Sequence, residues 1–75
     1  MDSMIQSFLV RLAEVLEVPS ISLEDDFRTV PLWSSLTGFS VLVMLETEYG
    51  RLLTAEELRD ARTVCDLARK IGVCG

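Results

Sequence analysis

Apolar residues recur at intervals of three and four from Met4 to Leu16. Ile5, Phe8, Leu9, Leu12, Val15 and Leu16 fall on one helical face, and Gln6, Arg11, Glu14 and Glu17 take the other. Ser3 is placed to cap this helix. Pro19 is expected to end it, because the residue before a proline disfavours helical backbone. From Val18 to Trp33 the period breaks. Pro19, Pro31, Ser20, Ser22 and the acidic Glu24-Asp25-Asp26 mark a long connection. Ile21, Leu23, Phe27, Val30 and Leu32 are spaced through it and are expected to pin it to the core, with one helical turn near Leu23 to Phe27. A connection of this length in a compact domain is usually functional or fastened down.

A second helix is predicted from Ser34-Ser35 to Tyr49, with Gly50 as its stop. It is apolar on more than one side. Leu42, Leu45 and Tyr49 can face the core together, but Val43 and Met44 cannot both join them, so part of its apolar surface looks outward. Thr54-Ala55-Glu56-Glu57 is a capping box that opens a short third helix. Thr63-Val64-Cys65-Asp66 repeats the device for a fourth, which carries Val64, Leu67, Ala68 and Ile71 and closes at Gly72. No strand alternation or repeat intervenes. The pattern predicts one all-α domain over residues 1–75: a four-helix bundle with a short third helix and a long first loop.

Composition narrows what such a domain can do. Among 75 residues there are twelve acids, seven bases, no histidine and two cysteines. A chain this short buries roughly 60% of its unfolded surface, which leaves little room for a deep catalytic cleft. A net charge of −5 argues against nucleic acid, which needs a basic footprint. Without histidine there is no Ser-His-Asp or Cys-His arrangement, and two cysteines alone cannot close a zinc site. Cys65 and Cys74 read as reduced thiols. The acidic start MDSMIQSFLV does not resemble a signal peptide. The longest uncharged run, Thr29 to Leu45, is too short and polar to span a bilayer. The expectation is a cytoplasmic monomer that is not an enzyme and has no membrane partner.

The acid pairs Asp25-Asp26, Glu56-Glu57 and Glu46 with Glu48 sit in polar stretches, where neighbours do not face each other, whereas a general acid-base pair needs a cleft. They read as a solvated face. Trp33 reads as a loop anchor and Tyr49 as the end of the core stripe. Gly38 costs its helix about 1 kcal/mol against alanine; close approach of a partner or an attached arm would explain it, and so would a simply tolerated glycine. Arg51, Arg59, Arg62 and Arg69 are expected to pair with surface acids. The unusual junction is Pro31-Leu32-Trp33-Ser34-Ser35-Leu36. Two serines stand where a loop becomes a helix. Serine is among the commonest caps, so capping alone accounts for them. The same helix start also favours an attached phosphate, through its open amides and partial positive charge. The residue pattern leaves both readings open.

At this junction the chain resembles the acyl carrier proteins, whose modified serine opens the second helix in the pattern Asp-Ser-Leu. Here the matching residues are Ser34-Ser35-Leu36, followed by an apolar helix that ends Glu46-Thr47-Glu48-Tyr49. The Thr54 cap, the Thr63-Val64 opening and Asp26-Phe27 in the first connection fall at the family's spacing, so the likeness covers residues 4–72. The resemblance implies that a phosphopantetheinyl transferase attaches 4′-phosphopantetheine from coenzyme A to Ser35. The arm's thiol would then carry an acyl group among partner enzymes, such as an acyl-activating ligase or a synthase. Ser35 is implied because the family's serine directly precedes the leucine. Ser34, Leu36, Phe39, Ser40, Val43, Met44, Glu46 and Thr47 are the implied partner contacts.

Two departures stand out. Ser34 replaces the usual aspartate, and Ser35 to Leu45 carry no charge where fatty-acid carriers usually display acids. Electrostatic steering by this face should be weak and its contacts apolar, as in a specialised carrier with few partners. Two other classes fit the same pattern: a helical interaction module that lacks the arm, and a peptidyl or aminoacyl carrier.

Overall fold

The computed structural model describes residues 3–73. They form four α-helices, α1 (Ser3–Leu16), α2 (Ser35–Tyr49), α3 (Ala55–Asp60) and α4 (Val64–Ile71), and one 3-10 turn (Phe27–Thr29). No strand occurs among the described residues, which are all-α as expected. No helix among them is long and apolar enough to cross a membrane.

One core collects the inner faces. Phe8, Leu12 and Leu16 of α1, Val41 and Leu45 of α2, Val64 and Leu67 of α4, and Phe27 of the 3-10 turn are fully enclosed. Burying side chains of this size contributes about 1.5–3 kcal/mol each. No polar side chain is buried among the described residues. The Tyr49 ring meets Phe8 edge-on at 5.7 Å and ends the core stripe of α2. Burial there raises the phenol's pKa above its usual value, and the neighbouring Glu48 adds to the effect.

The helix starts of α2, α3 and α4 follow the sequence closely. Thr54 accepts from the Glu57 amide while the Glu57 carboxylate accepts from the Thr54 amide. Thr63 and Asp66 make the same reciprocal pair. The backbone amides of Arg62 and Thr63, both donating to Asp66 Oδ2, hold that carboxyl below its ordinary pKa. Gly50 and Gly72 close α2 and α4 in the left-handed conformation, where glycine has no Cβ to clash.

α1 departs from expectation at both ends. Ser3 is its first helical residue and not its cap, and the position before it lies outside the described residues. The helix stops at Leu16, short of Pro19, because Glu17 itself turns left-handed at φ 59°. The Glu17 amide then donates to Glu14 O at 3.2 Å and the Val18 amide to Ala13 O at 3.0 Å. This is the double hydrogen bond of a glycine-type helix end, made by a glutamate.

The long connection is fastened rather than loose. Phe27 is its fully buried anchor, and Ile21, Leu23, Val30 and Trp33 pack against the core. Leu32 does not; it is exposed, because Pro31 and Leu32 form an outward turn before α2. The helical turn falls at Phe27–Thr29, just after the expected Leu23 to Phe27, since Asp26 caps it by accepting from the Arg28 amide at 2.9 Å. The first two amides of α4 donate to the connection: Val64 N to Asp25 O at 2.9 Å and Cys65 N to Leu23 O at 2.8 Å. Arg28 lies over the Phe27 ring and donates to Arg59 O, at the end of α3, at 2.9 Å. Cys65 is half-buried, and Cys74 lies outside the described residues.

The surface arginines pair differently from expectation. Arg69 meets Asp66, but Arg51, Arg59 and Arg62 have no carboxylate within salt-bridge range among the described residues. The cation that links two helices is Arg11, which holds Glu14 at 3.2 Å and Glu48 of α2 at 3.1 Å. These hydrogen bonds raise its pKa, with Glu14 the larger cause.

Glu17 yields a test of the fold. A left-handed non-glycine residue carries strain, and an acid at a helix C-terminus opposes the helix dipole. Glycine relieves both but adds freedom to the unfolded chain. Glu17→Gly is expected to stabilise the protein by about 0.5–1 kcal/mol, measured as a higher midpoint in urea. A lower midpoint would show that the glutamate side chain holds the turn.

Candidate functional site

The site is the start of α2, delivered by the fastened connection. Trp33 packs edge-on to Phe27 at 5.7 Å and lies over Gly38. A methyl on Gly38 would stand 3.4 Å from the Trp33 ring and 3.7 Å from Leu58. These are ordinary contact distances, so the glycine packs against the indole without being required by it. With the ring seated there, the backbone enters α2 at a fixed place, and Ser34 takes the extended conformation of an N-cap.

Ser34 and Ser35 then part company. The Ser34 hydroxyl accepts from the Thr37 amide at 3.3 Å and meets the Thr37 hydroxyl at 3.2 Å. The Thr37 hydroxyl in turn donates to Leu32 O at 2.9 Å. Ser35 is the first residue of α2 and is exposed, and its hydroxyl has no hydrogen-bond partner among the described residues. No acid occupies the first turn of α2. A phosphate ester on Ser35 would therefore meet the positive end of the helix with no carboxylate of that turn opposing it.

The outer face of α2 is apolar. Leu36 is 75% exposed, Phe39 63% and Val43 43%. Their spacing of three and four places them in one row. Glu46 and Thr47 are exposed at the far end, and Ser40 beside the row turns its hydroxyl back onto Leu36 O at 3.1 Å. Met44, named with this surface from the sequence, is a correction: it is 8% exposed and belongs to the core. The inward stripe of α2 is Val41, Met44 and Leu45, with Leu42 and Tyr49 at its margins. Val43 lies 200° from Leu45 and so falls on the outer side of the helix. Met44 reaches solvent only at the floor of an open groove between α1 and α2, walled by Arg11, Glu14, Val15, Ser40 and Thr47.

Two participants escaped the sequence reading. Exposed Leu32 was assigned to the core, and Thr37 was not singled out within the uncharged stretch from Ser35 to Leu45. The spacing Ser34-x-x-Thr37 is that of a capping box with a hydroxyl in the glutamate's place, and it could have found Thr37. No family model, curated protein or solved structure matches this chain.

The two serines are separable by stability. Ser34→Ala removes a cap and is expected to cost about 1 kcal/mol. Ser35→Ala removes no contact and is expected to stay within about 0.5 kcal/mol of wild type. Chemical denaturation of both variants checks the division of labour; equal losses would refute it.

Proposed function

We propose that this chain is an acyl carrier protein, a four-helix bundle of the acyl-carrier kind that bears 4′-phosphopantetheine on Ser35 in a specialised biosynthetic pathway. The observation that carries this reading is the pairing of a committed Ser34 hydroxyl with an exposed, unpartnered Ser35 hydroxyl on the first turn of α2. The residues fit the group: the nucleophilic oxygen is open to a transferase, and the first-turn amides of Ser35 and Leu36 favour the anionic ester that results.

In the attachment, Ser35 Oγ forms a bond to the phosphorus of coenzyme A that bears the pantetheine. The pyrophosphate P–O bond on its far side breaks, and the 3′,5′-bisphosphorylated adenosine leaves. The serine proton passes to a base of the transferase. When bound, the arm supplies a thiol that holds an acyl group as a thioester and raises its local concentration at a partner's active site. The protein itself then acts by presentation and is no enzyme. Leu36, Phe39 and Val43 offer transferase, ligase or synthase partners an apolar contact close to the arm.

Intact mass after incubation with coenzyme A and a broad-specificity phosphopantetheinyl transferase tests the assignment. Wild type and Ser34→Ala should gain one phosphopantetheine, and Ser35→Ala none. A gain that survives Ser35→Ala and vanishes in Ser34→Ala overturns the site. No gain in wild type with a panel of transferases overturns the carrier and leaves a helical interaction module. Loading by an amino-acid-activating ligase, and not by acyl ligases, would make it an aminoacyl carrier.

The uncharged face makes a second prediction. Affinity for a cognate partner should change less than about threefold between 50 and 300 mM salt, because few charges are brought together. Phe39→Ala should weaken it at least about tenfold, as loss of a large apolar anchor does. Titration calorimetry at the two salt concentrations measures both. Steep salt dependence with an unaffected Phe39→Ala would refute an apolar docking face.

A further inference from the structure

We propose that Thr37 is the residue that selects between the two adjacent serines: its hydroxyl occupies Ser34 and leaves Ser35 as the reactive oxygen. The inference rests on the carrier reading and concerns a choice that the residue types alone do not make. Serine follows serine, both hydroxyls stand at one helix start, and both residues are exposed.

Proton bookkeeping carries the assignment. A hydroxyl has one hydrogen. That of Thr37 is spent on Leu32 O at 2.9 Å. The 3.2 Å contact between the two hydroxyls must therefore run from Ser34 as donor to Thr37 as acceptor. Ser34 Oγ also accepts from the Thr37 amide. Thr37 thus engages Ser34 twice, once at its proton and once at its lone pair. The result is a directed chain: Ser34 O–H to Thr37 Oγ1, Thr37 O–H to Leu32 O. To attack phosphorus, Ser34 would have to give up its only proton to a base and loosen the cap of its own helix. Ser35 has neither contact to lose. The chain also fastens Leu32 to the helix start, so the backbone between them holds Ser35 at the first turn.

Thr37 is in this sense a positioning residue, and its removal should change where modification occurs more than how well the protein folds. The sensitive background is Ser35→Ala, in which Ser34 is the only serine left at the junction. With coenzyme A and transferase, Ser35→Ala should gain no mass. Ser35→Ala with Thr37→Val should gain one phosphopantetheine on Ser34, located by fragmentation of the peptide that spans residues 29–51. Thr37→Ala in place of valine repeats the test without a β-branched side chain, and thermal melting followed by circular dichroism verifies that each variant is folded. In the intact Ser35 background, Thr37→Val should raise the Ser34-to-Ser35 product ratio about tenfold, the factor that one ordinary hydrogen bond commands. Thr37→Ser, which keeps the hydroxyl, should restore modification at Ser35 alone. Modification confined to Ser35 in folded Thr37→Val and Thr37→Ala overturns the role of Thr37 and leaves the carrier intact. An unmodified wild type under the same transferases overturns the carrier and this inference with it.

Discussion

The hydrogen bonds from Val64 N to Asp25 O and from Cys65 N to Leu23 O hold the rest of the molecule in register. A helix start leaves its first amides without internal partners, and water, a side chain or another segment must take them. Here the first connection takes two, so the longest irregular stretch of the chain becomes the cap of the last helix. Phe27 is thereby fixed beneath it in the core, Arg28 is set against the end of α3, and Trp33 is carried to Gly38. Each step constrains the next, and the last product is the orientation of Ser34 and Ser35. A connection tied only by its own apolar residues could slide; one tied by backbone hydrogen bonds cannot do so without exposing orphaned amides.

Helix existence was legible in the chain because its signals are local. Thr54 with Glu57, Thr63 with Asp66, and the glycines at 50 and 72 specify ends through contacts no more than a few residues apart, and the structure uses each of them. Signals failed where the deciding contact was distant or the residue type was ambiguous. Glu17 gives no compositional sign of left-handed backbone, and Pro19 drew attention that belonged two residues earlier. Met44 and Val43 are adjacent and both apolar, so only the direction of the core, set by α1 and α3, could say which points inward. The stitch between Asp25 and Val64 spans nearly forty positions and has no side-chain signature, because both partners are backbone.

The site was legible in part for the same reason. That a serine lies at the start of α2 follows from cap statistics. That Ser35 is the open one was inferred from a family pattern, and the hydrogen bonds of Thr37 now supply a separate, local reason to distinguish the two. On the carrier reading, the chain's loss of the usual aspartate becomes intelligible in physical terms. Both Asp and Ser can accept an amide proton at an N-cap, so the helix start survives the exchange. What changes is charge, and with it the ease with which a basic partner finds this end.

The distribution of charge bears on that same face. The net −5 lies outside the uncharged stretch from Thr29 to Leu45, while Leu36, Phe39 and Val43 stand exposed within it. An exposed apolar row invites self-association, and a net charge far from zero opposes it by keeping like molecules apart. That repulsion is long-ranged and non-specific; the apolar row acts only at contact. The two therefore sort encounters by distance. On the carrier reading, copies of this chain would be repelled before the rows met, whereas a partner of neutral or opposite charge would reach the row and gain by burying it. On the carrier reading, the acidity would act around the apolar row rather than on it, keeping like molecules apart while leaving the row open to contact.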